Sequence, residues 1–202
     1  MPDTQGTAAS WRERTRKSRP RTLVVMGVTA LAILAVAYMV NRPTASGEGV
    51  TAVTLSGPTA GDPPRVGKQA PDFTARTVAG KAVTLSAFKG QPVWLTFGAS
   101  WCQPCRAENP DIQAAFEKNR SAGLVVIQVF ISEDASTVRD YTQRVGLTYS
   151  AIADPGTEIA SAYRVLGIPS HFFVDRSGTL RTLRVGTVNQ EAMDTALAEI
   201  DR

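Results

Sequence analysis

Cysteine and histidine are nearly absent: the 202 residues hold two cysteines and one histidine. Two cysteines cannot build a disulfide-rich scaffold, nor a zinc site of four thiolates. A single histidine, His171, excludes a metal site built on a histidine pair. Charge imbalance is also missing from most of the chain. The net charge of +4 comes entirely from residues 1–22, where six basic residues stand against two acidic ones; the other 180 residues carry sixteen of each. Nothing therefore points to nucleic acid, and the local basic run calls for a local explanation. With 43% hydrophobic residues, 16 Gly and 12 Pro, the composition is neither collagen-like nor disordered, and the length suits one domain plus extras.

What is present begins with an uncharged stretch, Thr22 to Asn41, whose apolar part runs from Leu23 to Val40. As a helix it would span ~27 Å, about one hydrocarbon core. The preceding basic residues (1–21) predict an N-terminus in the cytoplasm and export of everything beyond 41. Tyr38 suits the outer interface. A cleaved signal peptide competes, because Ala35-Val36-Ala37 and Thr44-Ala45-Ser46 have small-x-small spacing. The apolar run outlasts an ordinary signal core, so an uncleaved single-pass anchor over 22–41 is expected. Residues 42–65 are rich in Pro, Gly, Ser, Thr and Ala without an aromatic, which reads as a flexible tether. The folded unit is then 66–202, large enough for one core.

Inside that unit strands and helices alternate. Phe73–Thr77 and Ala82–Leu85 flank a turn and read as a hairpin. Pro92–Ala99 and Leu124–Ile131 are continuous apolar runs, as for buried central strands. A helix is expected from Gln103 to about Ser121, kinked at Pro110 and ended by Gly123. An amphipathic helix at 135–145, a short strand at 150–153 and a short helix at 158–163 follow. Ser170–Asp175 and Thr179–Val185 form a second hairpin. Thr187 with Gln190 signals a capped final helix. The expected architecture is α/β, a mixed central sheet with helices on both faces and an N-terminal hairpin extension.

Trp101-Cys102-Gln103-Pro104-Cys105 falls where the first buried strand ends and the long helix starts. CxxC at a helix start is a redox arrangement. Cys102 meets free backbone N–H groups and the positive end of the macrodipole, which favour a thiolate. Cys105 lies one turn deeper on the same face and can resolve a mixed disulfide formed at Cys102. Pro104 pre-sets a helical φ where a missing N–H costs nothing. Gln103 is neutral and biases the couple in neither direction, and Trp101 reads as an exposed lid beside Cys102. A structural disulfide or half a zinc site are the bland readings; so short a loop would stabilise little, and the remaining ligands are lacking.

The stretches VGKQAPDF, LSAFKGQPVWLTFGASWCQPCRAENP and GIPSHFFVDRSGTL resemble the membrane-anchored thioredoxin-like proteins of the TlpA/ResA/DsbE type over about Val66 to Arg202. That resemblance implies a thioredoxin fold and a bacterial thiol–disulfide oxidoreductase with no bound cofactor or metal. It makes Cys102 the nucleophile and Cys105 the resolving thiol of a redox-active disulfide. It makes Pro169, after Ile168, a cis proline facing the cysteines, and Glu108 a carboxylate that tunes the thiols. The implied partners are protein thiols and disulfides, apocytochrome c among them, and a membrane thiol relay protein as electron donor. The implied role is a reductant in cytochrome c maturation; thiol oxidation of secreted proteins is the alternative. Two positions depart from related patterns. Thr96 stands where thioredoxin has a buried aspartate, which shifts acid–base work to Glu108. His171 stands where Thr or a hydrophobe is common, either as a plain strand residue or with a part in pH dependence. A copper-handling protein using Cys102, Cys105 and His171 is a rival, disfavoured by CxxC spacing and the lack of a Met-rich stretch. A peroxidase is a further one, disfavoured because the PxxxTxxC setting is missing.

Overall fold

The computed structural model describes residues 9–40, 53–56 and 63–202. The first helix, α1 (Ala9–Val40), runs through the uncharged stretch. Its described side chains, 23–38, are exposed all round. Among the described residues no helix is long and apolar enough to cross a membrane. The expected anchor, 22–41, extends past the described side chains at both ends, and 23–38 alone measures about 24 Å. The first part of the basic tail and most of the tether, 41–52 and 57–62, lie outside the described residues. The helix belongs to one compact unit and the chain from Gly47 onward forms another.

Part of the expected tether is ordered into the domain. Thr54–Ser56 is a strand, β1, antiparallel to β2 (Asp72–Arg76), with Leu55 opposite Phe73. Val53 beside it packs on the main core. Composition alone missed this because the strand borrows its burial from a neighbour that comes later in the chain. As expected, β2 pairs antiparallel with β3 (Ala82–Thr84), Ala75 opposite Val83.

The main sheet is built from β4 (Val93–Gly98), β5 (Val125–Ile131), β6 (Ser150–Asp154), β7 (Ser170–Val174) and β8 (Leu180–Val185). The helices are α2 (Gln103–Asn119), α3 (Ala135–Val145), α4 (Glu158–Ala162) and α5 (Gln190–Ile200). Strand order is β6-β5-β4-β7-β8. β4, β5 and β6 are parallel neighbours, whereas β7 runs antiparallel to both β4 and β8. Central β4 is buried at every residue, which its apolar run, interrupted only by Thr96, reflects.

Successive side chains of β4 point to opposite faces. Val93, Leu95 and Phe97 join Ile127, Val129, Ile152 and Phe172, and this core is closed by Phe73 of β2 with Ile159 of α4 and Tyr163 just after it. Trp94 turns the other way, onto Ile112 and Ala115 of α2 and Met193, Ala196 and Ile200 of α5. On that same face Val138 and Tyr141 of α3 cover Phe130, Ala151 and Ala153. Helices thus lie on both faces of a mixed sheet, a thioredoxin-like α/β fold.

The start of α5 differs from expectation in one detail. Asn189, not Thr187, is the cap, and its side chain accepts the Ala192 N–H at 2.9 Å. Asn caps at least as well as Thr. The preceding amide, Val188 N–H, is already tied to Glu108 at 2.6 Å, which fixes where the turn into the helix begins.

Candidate active site

Cys102 is the N-cap of α2, in extended conformation, and its sulfur accepts the Cys105 N–H at 3.2 Å. The helix N-terminus therefore already supplies a donor to this sulfur. Gln103 and Pro104 fill the exposed start of the helix, and Trp101 just before it is 62% exposed. Cys102 and Cys105 are joined in a disulfide with their Cα atoms 5.3 Å apart. Cys102 is less exposed than the sequence suggests, at 6% against 1% for Cys105. In the disulfide the two sulfurs pack with Ala99, and Ile168 leans on them. The order of accessibility is as expected, but the nucleophile is largely covered while oxidised.

Antiparallel pairing of β7 with β4 sets Ser170 opposite Phe97 and His171 opposite Thr96. That register carries the loop before β7 alongside the end of β4. The Ile168–Pro169 bond in this loop is cis. The Pro169 carbonyl accepts from Gly186 N–H at 2.8 Å, and Ser170 Oγ donates to the Gly167 carbonyl at 2.6 Å, so the loop is pinned on both sides.

Glu108 faces inward with Cys105, on the buried side of α2, and is only 4% exposed. A solvated helix carboxylate is thereby excluded. Its Oε1 accepts Val188 N–H at 2.6 Å. Its Oε2 lies 3.3 Å from His171 Nε2, in a fully buried setting. That distance is within ion-pair reach, although the contact falls outside strict hydrogen-bond angles and neither atom has another partner among the described residues. On the far side of the imidazole, Nδ1 is 3.3 Å from Trp94 Nε1 and 3.1 Å from Thr96 Oγ1.

Further features escaped the sequence reading. Gln128, the one polar residue in the core of β5, anchors a buried network: its Nε2 donates to Asn109 Oδ1 at 3.1 Å, and its Oε1 accepts the Tyr149 hydroxyl at 2.9 Å. Asn109 Nδ2 in turn donates to the Tyr141 hydroxyl at 2.9 Å. Burial, then Tyr141 and Glu108, push the Tyr149 hydroxyl pKa up, keeping it a donor. Gly98 must stay small, because a Cβ there would lie 3.1 Å from Gln128 Nε2 and 3.4 Å from Cys105 Sγ. Glu133 accepts the Ser100 N–H at 2.7 Å and also the Ser100 hydroxyl, holding the turn that leads into Trp101. Beside Trp101 an open groove of about 670 Å³ runs between α2 and α3, lined by Gln103, Arg106, Pro110, Tyr141 and Val145. Among the described residues no group of three or more His, Cys, Asp or Glu is placed to hold a metal.

Residues 66–183 match the model of the AhpC/TSA family. The chain belongs to that family. Several of its relatives are named thiol–disulfide oxidoreductases. The chain is 30% identical over 135 residues to the thiol-disulfide oxidoreductase ResA of Geobacillus kaustophilus, covering 67% of this chain and 78% of the relative. It is 34% identical over 134 residues to the thioredoxin-like protein YneN of Bacillus subtilis, covering 65% and 78%. A crystal structure of a putative thiol:disulfide interchange protein DsbE from Chlorobium tepidum superposes with a TM-score of 0.61 at 28% identity, over 66% of this chain and 99% of that one. This AhpC/TSA-family member is thus a thiol–disulfide oxidoreductase of the ResA/DsbE type, and its Cys102–Cys105 disulfide is consistent with a CxxC redox site.

Proposed function

We propose that the protein is held in the membrane by residues 22–41, with residues 1–21 in the cytoplasm and the domain 66–202 outside it, where it reduces protein disulfides. Apocytochrome c, whose haem-attachment cysteines must be thiols, is the substrate class this reading favours. The anchor is supported by the six basic residues ahead of an uncharged run and by the helix over Ala9–Val40. Segment 42–65 then works as the tether, with β1 as its docked part. A membrane thiol relay protein returns the electrons.

The observation that carries the reading is the Cys102–Cys105 pair at the N-terminus of α2 with Ile168, next to cis-Pro169, packed on it. In the reduced protein the Cys102 thiolate attacks one sulfur of a substrate disulfide, and the other substrate sulfur leaves and takes up a proton. The resulting mixed disulfide has its Cys102 sulfur next to Cys105. Cys105 gives up its proton and attacks Cys102 Sγ, so the Cys102–Cys105 bond forms and the second substrate thiol departs. Two electrons pass from the protein to the substrate. The chain's own sulfurs carry the whole exchange, so no cofactor enters it.

The reduction potential of the Cys102–Cys105 couple, equilibrated against a glutathione series, tests the direction. A reductant requires a value at or below about −220 mV, whereas a value near −120 mV belongs to a thiol oxidase and overturns the reading. Membrane fractionation with a C-terminal reporter active only outside the cytoplasm tests the anchor; recovery of a soluble form starting after residue 37 or 46 contradicts it.

A further inference from the structure

A line of buried polar groups, Trp94, Thr96, His171 and Glu108, runs behind the disulfide, each 4% exposed or less. The indole fixes the state of the imidazole. Trp94 Nε1–H can only donate, and it is aimed at His171 Nδ1 from 3.3 Å. A proton on Nδ1 would meet it head-on. Nδ1 is therefore the acceptor, and the neutral ring carries its proton on Nε2. Thr96 Oγ1, 3.1 Å away, adds a second donor to the same lone pair. Nε2 is the atom that faces Glu108 Oε2 at 3.3 Å, where neither atom has another partner among the described residues.

We propose that His171 is a positioning residue for Glu108: Trp94 locks the ring as its Nε2–H tautomer, and that N–H, with Val188 N–H, holds the Glu108 carboxylate as a fixed acceptor one turn from Cys105. The proposal rests on the reading of Glu108 as the acid–base partner of the thiols. Each carboxylate oxygen then has a donor of its own, one from the turn before α5 and one from β7. Cys105 is 1% exposed, so water is poorly placed to take its proton when it attacks Cys102 Sγ. Glu108, on the same helix face, takes that proton as the new S–S bond forms and the substrate sulfur leaves with the electron pair. Holding the acceptor in place beforehand removes the cost of organising it during the step. Among the described residues His171 from β7 and Tyr149 from the approach to β6 are the titratable groups set against Glu108, with Cys105 one turn back on the same buried side of α2; burial, Tyr141 and Glu108 itself push the Tyr149 hydroxyl up.

The chain has a single histidine, so one nitrogen NMR spectrum of the full-length protein reads the ring directly. The expected result is a protonated Nε2 and a bare Nδ1 at pH 7. In Trp94→Phe, which keeps an aromatic but loses the donor, Nδ1 becomes free to protonate. A wild-type Nδ1–H tautomer or an imidazolium at pH 7 overturns the proposal. The functional arm measures resolution of a glutathione mixed disulfide at Cys102 in a single turnover across pH. Glu108→Gln should slow it roughly a hundred-fold, the ordinary weight of a positioned proton acceptor. His171→Leu should slow it roughly ten-fold, the weight of one hydrogen bond to a charged group, and displace the pH profile, with His171→Gln recovering part through its amide N–H. In the Glu108→Gln background the His171 substitutions should have no further effect. If the two effects multiply instead, or if only Glu108→Gln slows the step, the positioning role is wrong. If Glu108→Gln resolves at the wild-type rate, the acid–base reading of Glu108 itself fails, and the role assigned to His171 falls with it.

Discussion

Gly98→Ala adds one methyl group at the end of β4, directly behind the redox pair. In an ordinary strand position the change would help, because glycine costs roughly 0.5–1 kcal/mol relative to alanine. Here the new Cβ would stand 3.1 Å from Gln128 Nε2 and 3.4 Å from both Cβ and Sγ of Cys105. The contact with Gln128 is the tight one, so that amide must retreat by a few tenths of an ångström. It has little freedom to do so, since Asn109 holds its Nε2 at 3.1 Å and Tyr149 holds its Oε1 at 2.9 Å. Overpacking a well-filled core typically costs about 1–3 kcal/mol, which outweighs the propensity gain. The expected net loss is about 1 kcal/mol, a fall in Tm on the order of 3–4 °C for a domain of this size. Thermal unfolding followed by circular dichroism, on the oxidised protein, checks it. A rise in Tm would refute the reasoning, because it would mean that the Gln128 network yields without cost.

The other predictions concern carboxylates outside the redox pair. Burial raises the Asp154 carboxyl pKa to about 6 against the partial relief of the Ala160 and Ile159 N–H groups, with Glu158 adding to the rise. A raised folded-state value means stability that is fully present below about pH 4 and lost as pH climbs through about 6; urea midpoints from pH 4 to 7 should fall for the wild type relative to Asp154→Asn, and parallel curves would contradict this. Glu133→Ala removes both acceptors of Ser100 and should cost about 2 kcal/mol in chemical denaturation, as for hydrogen bonds to a charged group. An unchanged midpoint would show that the turn before Trp101 holds itself.

Most of the fold is legible in the sequence because the elements follow simple periods. β4 and β5 are apolar apart from Thr96 and Gln128, since both of their faces are covered. α3 announces itself by Val138, Tyr141 and Val145, and the first two of these are buried. β1 was illegible because its partner lies downstream and its own residues are few. The cap of α5 was misplaced because the choice between Thr187 and Asn189 depends on where Glu108 ties the Val188 amide, a contact 80 residues away in sequence. In the site, local helix spacing puts Cys105 and Glu108 at successive turns after Cys102 on the same face, while the part given to Glu108 came from the family resemblance. His171 meets Glu108 only through the register of β7 against β4, which no local pattern encodes. Gln128 carried a signal, a lone amide inside LVVIQVFI, but its Tyr149 and Asn109 partners come from separate elements.

The account rests on Cys102 as the attacking thiol and Cys105 as the one that releases the product. Trapping tests this most directly. Purified Cys105→Ser and Cys102→Ser proteins are reduced, mixed with a disulfide-containing apocytochrome c peptide, quenched in acid and separated without reductant. The account predicts a mixed disulfide that accumulates with Cys105→Ser and maps to Cys102, and none with Cys102→Ser, whose remaining thiol is buried beneath the first. Accumulation through Cys105, or equal trapping by both variants, would contradict it.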